Sequence, residues 1–113
     1  MPIFITQGRY TQSAITGMIA SPEDRAEAVE RIVTAAGGKL RSYYMTFGEY
    51  DFLTIAEARD ETAMLAALAV AAAGGGVTDL KTTIAVNSAD MKNALEKAKS
   101  LAPKVSGMVL PRT

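Results

Sequence analysis

Two strand-like runs that meet at a short polar turn constrain the fold of this chain more than any other feature. Residues 39–47 and 51–58 are rich in aromatic and β-branched side chains, and Gly48-Glu49-Tyr50-Asp51 lies where the two runs meet. Strand-forming runs separated by a few residues that include glycine are typical of an antiparallel β-hairpin. We therefore expect a hairpin here, with Gly48 at a positive φ in the turn.

The register of this hairpin predicts a sheet with two apolar faces. If Phe47 opposes Phe52, the residues on each face follow from the alternation of side chains along a strand. One face then holds Tyr43, Met45, Phe47, Phe52, Thr54 and Ala56, and the other holds Leu40, Ser42, Tyr44, Thr46, Leu53 and Ile55. An antiparallel sheet exposed to water on one side alternates apolar with polar residues, and neither face does so. We expect one face to carry helices and the other to pack against a second copy of the chain as a C₂ dimer.

The remaining segments complete an α+β arrangement. A strand is predicted at residues 2–7, followed by a connection at 11–20 with a short helical turn. A helix is predicted to begin at Ser21-Pro22 and to end at Gly37-Gly38, because serine caps helices, proline suits the first position and glycine ends them. Asp60 is expected to cap a second helix that ends at Gly74-Gly75-Gly76, with Met64, Leu65, Leu68 and Ala72 facing inward.

A fourth strand over residues 77–86 and a helix capped by Asn87 or Ser88 and reaching Leu101 follow. The order β-α-β-β-α-β is the ferredoxin-like arrangement with a four-stranded antiparallel sheet, here with an extra C-terminal helix. Residues 1–86 form the expected domain, and residues 87–113 are a helix and tail within the same domain. The last ten residues are interpreted as a mobile tail or as an arm that clasps a partner.

The composition narrows the function classes. The chain has 113 residues, with 12 basic and 12 acidic side chains in scattered positions, which argues against a nucleic-acid or membrane partner. It contains neither cysteine nor histidine, so thiolate nucleophiles, imidazole bases and zinc or haem sites built on these residues are excluded. We expect no cofactor and a cytoplasmic location.

Five residues are candidates for contact with a small ligand: Tyr43, Tyr44, Tyr50, Asp51 and Thr82. Each also has a structural interpretation. Asp51 is typical of a side chain that accepts hydrogen bonds from turn amides, and a buried tyrosine hydroxyl needs a partner such as a threonine. Tyr43 and Tyr44 are expected on opposite faces of the sheet.

Three charged residues of the predicted strands have two interpretations as well. Arg41 and Lys81 are either solvated charges or a clamp for a small carboxylate. Glu57 forms a salt bridge at the rim or acts as a general base.

Several ordered blocks resemble the GYD domain family: Gly8-Arg9-Tyr10-Thr11, Ser21-Pro22-Glu23-Asp24-Arg25, Ala36-Gly37-Gly38-Lys39-Leu40, Phe47-Gly48-Glu49-Tyr50-Asp51 and the strand with Val77-Thr78 and Thr82-Thr83. The resemblance covers roughly residues 1–86. It implies a dimeric α/β-barrel in which two sheets close around a shared interior. It implies no particular reaction, because families of similar fold include cofactor-free monooxygenases, isomerases, haem-handling proteins and the ligand-sensing domain of Lrp/AsnC regulators.

Besides a purely structural dimer module, two functions remain open at the level of sequence. The first is a small protein that assembles with itself, as a homodimer or a higher homo-oligomer, and that binds a small molecule or acts as an accessory protein. The second is a cofactor-independent enzyme, similar to a monooxygenase or isomerase, for a small aromatic or enolisable substrate. Tyr50, Asp51, Tyr43 or Glu57 would then place protons.

Overall fold

A computed structural model describes residues 1–105 of the chain. Its elements are β1 (Ile3–Tyr10), α1 (Gln12–Ala20), α2 (Ala26–Ala35), β2 (Lys39–Met45), β3 (Phe52–Glu57), α3 (Glu61–Ala73), β4 (Val77–Ala85) and α4 (Ser88–Leu101), followed by a 3₁₀ turn, Ala102–Val105. The four strands form one sheet in the order β2-β3-β1-β4, and all neighbouring strands are antiparallel. This order confirms the predicted ferredoxin-like fold.

One face of the sheet is buried under α2 and α3. Burial alternates strictly along β1 and β3, so Phe4, Thr6 and Tyr10 share the buried face with Phe52 and Thr54. Phe4 also packs with Ala58 and with Met64 of α3 in the most buried cluster. The opposite face of the sheet, which we call the open face, carries the intervening residues.

The open face carries an apolar patch on its two central strands. Ile5 of β1 lies directly opposite Ile55 of β3, and Leu53 lies opposite Gln7 on one side and Tyr44 on the other. Ile5, Leu53 and Ile55 are half-buried, and Tyr44 is 59% exposed. No helix of residues 1–105 brings these side chains to full burial.

The predicted hairpin register is wrong by two residues. Met45, not Phe47, opposes Phe52, and Phe47 is fully exposed in the connection. The connection spans residues 46–51 and is closed by Thr46, whose N–H donates to the Asp51 carbonyl at 2.9 Å and whose hydroxyl donates to the Tyr50 carbonyl at 2.6 Å. Because these bonds join residue 46 to residues 50 and 51, the strands are connected by a six-residue loop and not by a two-residue turn.

The predicted face of Leu40 is also wrong, because β2 contains a bulge. The pairing with β3 shifts between Leu40 and Ser42, so that Leu40 opposes Ala56 and lies on the buried side. One extra residue in a strand reverses the faces of all residues beyond it. Tyr43 and Tyr44 remain on opposite faces, as predicted, because they oppose Thr54 and Leu53 respectively.

The segment between β1 and β2 contains two helices where one was predicted. Thr11 caps α1 by accepting a hydrogen bond from the N–H of Ala14, so residues 12–20 are helical and not merely a turn. Ser21 ends α1 and does not begin the next helix. Helix α2 begins after Arg25, and Gly37 supplies the predicted left-handed residue at its end with a φ of 84°.

Helix α3 begins as predicted but turns a different face inward. Asp60 accepts a hydrogen bond from the N–H of Ala63 at 2.8 Å, as expected of a cap. Met64 and Ala67 are the buried residues, whereas Leu65 is 64% exposed and Ala72 is also exposed. Because α3 is apolar on every side, its sequence does not define which face meets the sheet.

Helix α4 follows the edge strand β4 and is capped by Asn87, as predicted. Every residue from 86 to 105 is exposed, including Leu101 and the pair Met91 and Leu95, which lie four residues apart on one side of the helix. The described chain measures 62 × 30 × 22 Å, in keeping with a helix that extends away from the sheet. Most of the predicted C-terminal tail lies outside the described residues.

Candidate ligand-binding site

The Gly-Glu-Tyr-Asp connection is bound to the end of β1 by Asp51. Its Oδ2 accepts a hydrogen bond from the N–H of Tyr10 at 2.9 Å, and its own N–H donates to the carbonyl of Gly8 at 2.8 Å. Gly8 lies at an irregularity in β1, where the pairing with β4 shifts between Gln7 and Arg9, and Tyr10 lies just beyond it. Asp51 thus joins three strands at one end of the sheet, and the amide that it accepts from belongs to β1 and not to its own turn.

Arg9 holds the same connection from the other side. Its Nε donates to the carbonyl of Glu49 at 2.7 Å, and its guanidinium lies 5.5 Å from the centre of the Tyr50 ring, within range of a cation–π contact. Gly48 does not have the positive φ that was predicted. In residues 1–105 the glycines with positive φ are Gly37 and Gly75.

A cavity of about 240 Å³ lies between the buried face of the sheet and helices α2 and α3. Its walls are mostly apolar and include Val29 and Ile32 of α2, Ala67 and Leu68 of α3, and Phe52 of β3. An apolar cavity of about 150 Å³ in a protein core is large enough to hold benzene. The space under these helices is therefore large enough for a small organic molecule.

Tyr10 lines this cavity at the end of β1. Its ring packs against Phe52 at a centroid distance of 5.1 Å, and its hydroxyl donates to the sulfur of Met45 at 3.4 Å. Burial raises the pKa of the Tyr10 phenol. The Arg25 guanidinium acts in the opposite direction, through its charge and through a hydrogen bond to the phenol, and the charge of Asp51 adds to the increase. The phenol is thus protonated at neutral pH and is available as a hydrogen-bond donor.

Arg25 lies at the same end of the cavity, immediately before α2. One of its terminal nitrogens, Nη1, pairs with Glu23 at 3.1 Å, and the Arg25 side chain is 31% exposed. Its Nε is buried and has no hydrogen-bond partner among residues 1–105. Burying a donor without a partner costs about 1–3 kcal/mol, so an arrangement of this kind calls for an acceptor.

A second, more polar hollow adjoins the first at Arg25. It has a volume of about 370 Å³ and is bordered by α1 and by the glycines that follow α3. Arg25, Gly74 and Gly76 border both spaces. The guanidinium thus stands where the apolar cavity meets polar surroundings.

Of the five candidate residues from the sequence, the structure brings Tyr43 to the cavity. Its hydroxyl donates to the sulfur of Met45 at 3.4 Å, as that of Tyr10 does. Thr82 does not line the cavity itself. Its hydroxyl lies 2.9 Å from the hydroxyl of Thr6, which does line the cavity. Tyr44 points to the open face, and Tyr50 and Asp51 belong to the hairpin connection.

Sequence reasoning missed Tyr10 and Arg25 as site residues. The signal for Tyr10 was its alternation with Phe4 and Thr6, which a strand extended to residue 10 would have revealed. Arg25 had no local signal, because it was placed inside a helix that in fact begins after it.

The charged strand residues are placed as follows. Arg41 Nε lies 2.9 Å from Glu57 Oε2, so these two residues form the rim salt bridge that was one of the predicted alternatives. Lys81 is exposed and lies opposite Gln7 on the open face. None of the three lines the apolar cavity.

Residues 1–105 contain no group of three or more acidic, histidine or cysteine side chains placed to hold a metal ion. In the same part of the chain no helix has both the length and the apolar character needed to cross a membrane.

The fold and the cavity define a small α+β protein with a ligand-sized space beneath its two sheet-covering helices. This chain belongs to the GYD domain family, because the pattern of that family matches residues 4–95. No curated protein matches the chain. Among solved structures, it is similar to the crystal structure of TTHA0845 from Thermus thermophilus, with 15% identity and a TM-score of 0.45 over 78% of this chain and 96% of the other.

Proposed function

We propose that this GYD domain protein is a homodimer that binds a small, largely apolar molecule. The observation that carries the binding function is the cavity of about 240 Å³ under α2 and α3. Ligand sites in proteins are concave and mainly apolar, with a few polar groups that orient the ligand. This cavity matches that description, since its polar groups include Tyr10 and Arg25 at one end.

The enzymatic alternative receives less support from the geometry. Of the four residues considered for proton transfer, Asp51 is engaged by the N–H of Tyr10 and Glu57 by Arg41. Tyr50 lies against Arg9 in the hairpin connection, which leaves Tyr43 at the cavity. Binding needs only the cavity and its hydrogen-bond donors, so the geometry favours binding over catalysis.

The experiment for binding compares a filled cavity with an unchanged one. Ala67 is 6% exposed and lines the cavity, so Ala67→Phe would occupy the space. The neighbouring Ala66 is exposed on α3, and Ala66→Phe adds the same ring outside the cavity. Indole and toluene, titrated into labelled protein, are expected to shift the NMR signals of cavity residues in wild type and in Ala66→Phe.

Ala67→Phe is expected to lose those shifts while it keeps its far-UV circular dichroism. Equal responses of the two variants would mean that the probes bind elsewhere and would refute the cavity as the site. Mass spectrometry of gently purified protein under native conditions provides a second measurement, because a retained natural ligand would add its mass.

The homodimer is supported by the open face of the sheet. Ile5 and Ile55 form a cross-strand pair there, flanked by Leu53 and the exposed ring of Tyr44. A contiguous apolar patch on a soluble protein is typical of an interaction surface. A second copy would place the same patch against itself across a two-fold axis.

Helix α4 supports self-association independently. It has 14 residues, none buried, and its apolar pair Met91 and Leu95, four residues apart on one side of the helix, is 48% and 56% exposed. Isolated helices of fewer than about 12–15 residues are marginal in water, and most helices in proteins are stabilised by packing of an apolar face. Packing α4 on a second copy of the chain would provide that stabilisation.

Sedimentation of an open-face variant tests the dimer. Ile55→Glu places a charge in the proposed interface. In the monomer this charge would lie on the open face and be solvated, whereas in the dimer it would be buried. We expect the wild type to sediment as a dimer at micromolar concentration and Ile55→Glu as a monomer. Ile19→Glu, at a position 74% exposed on α1, is the matched control and should remain dimeric.

A wild-type monomer at that concentration would refute the dimer.

The cytoplasmic location expected from the cysteine-free sequence is also part of this proposal. Fractionation of cells would test it.

A further inference from the structure

Two of the polar groups at the mouth of the cavity, Arg25 and Tyr10, can donate hydrogen bonds to a ligand. Arg25 contributes a positively charged guanidinium whose Nε is buried without a partner in residues 1–105. Tyr10 contributes a hydroxyl that donates to the sulfur of Met45 at 3.4 Å, a weak acceptor, and that lies close enough to the Arg25 guanidinium to hydrogen-bond with it. Two donors, one of them charged, at the end of an apolar cavity favour a ligand that presents an acceptor with negative charge.

The charge of the surroundings limits the charge of this ligand. Glu23 pairs with Nη1 of Arg25 and neutralises part of the guanidinium from the side open to solvent. One partly neutralised cation suits a group with a single negative charge, whereas a phosphate dianion would be repelled by Glu23. A carboxylate meets this condition, and its planar pair of oxygens matches the geometry of a guanidinium edge.

The size of the cavity limits the rest of the ligand. A volume of about 240 Å³ exceeds the roughly 150 Å³ that holds benzene in a protein core. The walls formed by α2 and α3 are apolar, including Val29, Ile32 and Leu68. The body of the ligand is thus about the size of one aromatic ring or of a medium-length alkyl chain.

We propose that the cavity binds a small monocarboxylic acid, with its apolar body between the sheet and helices α2 and α3 and its carboxylate at Arg25 Nε and the Tyr10 hydroxyl. This assignment rests on the proposed function, since it names the class of molecule that the same cavity takes.

The test compares acids with neutral molecules of the same shape. Benzoate and benzamide differ little except in charge, and so do hexanoate and hexanamide. Isothermal titration calorimetry on the full-length wild-type protein should show each acid binding about ten- to a hundredfold more tightly than its amide, the range expected for a charged hydrogen bond in a partly buried site. This comparison needs no variant and is decisive even if a variant fails to fold.

Variants then assign the effect to Arg25. Arg25→Gln should weaken benzoate binding by the same roughly ten- to hundredfold factor and leave benzamide binding unchanged. Arg31→Gln is the matched control, because it removes the same charge from the exposed side of α2, where Arg31 pairs with Glu27. Tyr10→Phe should weaken benzoate binding less than Arg25→Gln, since it removes a neutral donor.

The outcomes separate this inference from the proposed function. If benzamide and hexanamide bind as tightly as their acids, the carboxylate assignment is wrong and the apolar cavity remains a binding site. If no acid, amide or neutral aromatic probe binds, both proposals fail. If Arg31→Gln weakens benzoate binding as much as Arg25→Gln, the effect is one of overall charge, and Arg25 is not the carboxylate partner.

Discussion

Replacing Asp51 with alanine tests whether the carboxylate of the hairpin connection belongs to the scaffold. Its Oδ2 accepts the N–H of Tyr10, a buried residue, at 2.9 Å. Loss of one partner from a hydrogen bond to a charged group costs about 1.5–3 kcal/mol. Asp51 itself is half-buried, so water reaches part of the site, and we expect the lower part of that range, about 1.5–2 kcal/mol.

Urea unfolding followed by circular dichroism would measure this loss of stability. For a chain of this size 1 kcal/mol corresponds to about 4 °C, so the melting temperature should fall by about 6–8 °C. Asp51→Asn retains an acceptor oxygen but no charge, and about half of the loss is expected. The m value should remain unchanged, because the surface exposed on unfolding is the same.

Glu49→Ala is the control for this experiment. Glu49 lies in the same connection, its side chain is exposed, and Arg9 contacts its backbone carbonyl, which the substitution keeps. The stability of Glu49→Ala should stay within about 0.5 kcal/mol of wild type. An Asp51→Ala protein as stable as Glu49→Ala, and unable to bind benzoate, would refute the scaffold role and make Asp51 a ligand-binding residue.

Three further predictions follow from the geometry. Gly38→Ala would bring a Cβ into collision with the backbone carbonyl of Glu57 and should lower the free energy of unfolding by about 3 kcal/mol, whereas Gly48→Ala meets open space and should leave it nearly unchanged in the same urea titration. The stability of the wild type should fall as the pH rises above about 10, because the folded state holds the Tyr10 proton more tightly than the unfolded chain does; Tyr10→Phe should lose this component in unfolding measured between pH 8 and 11. Asn87→Ala removes the acceptor of a 2.7 Å cap on α4 and should reduce helix content in far-UV circular dichroism, with a local cost of about 1 kcal/mol.

Features set by neighbouring residues were predictable from the sequence. Asp60 and Asn87 were identified as helix caps because a cap needs only a suitable side chain three residues before a free N–H. Gly37 was identified as a left-handed residue for a similarly local reason. The order of strands and helices followed from these signals and from the hydrophobic pattern, and it was enough to predict the fold.

Features that depend on several segments at once were predicted less well. The pairing of Phe52 with Met45 is stabilised by two hydrogen bonds of Thr46 to the far side of the connection, and the hydrophobic pattern alone also fitted a register two residues away. The start of α2 shifted because Ser21 serves as the end of α1. A local sequence pattern shows that Ser21 can cap a helix, but it does not show whether Ser21 ends one helix or begins the next.

The sequence by itself determined the class of the fold, the apolar character of both sheet faces and the absence of any cysteine or histidine chemistry, because these depend on composition and short-range periodicity. Only the tertiary structure decided where a cavity large enough for a small molecule would lie. Tyr10 and Arg25 are 15 positions apart in the sequence and lie on β1 and before α2. They meet at one end of a cavity because the sheet and α2 pack together. Burial there raises the pKa of Tyr10 and leaves Nε of Arg25 without a hydrogen-bond partner among residues 1–105.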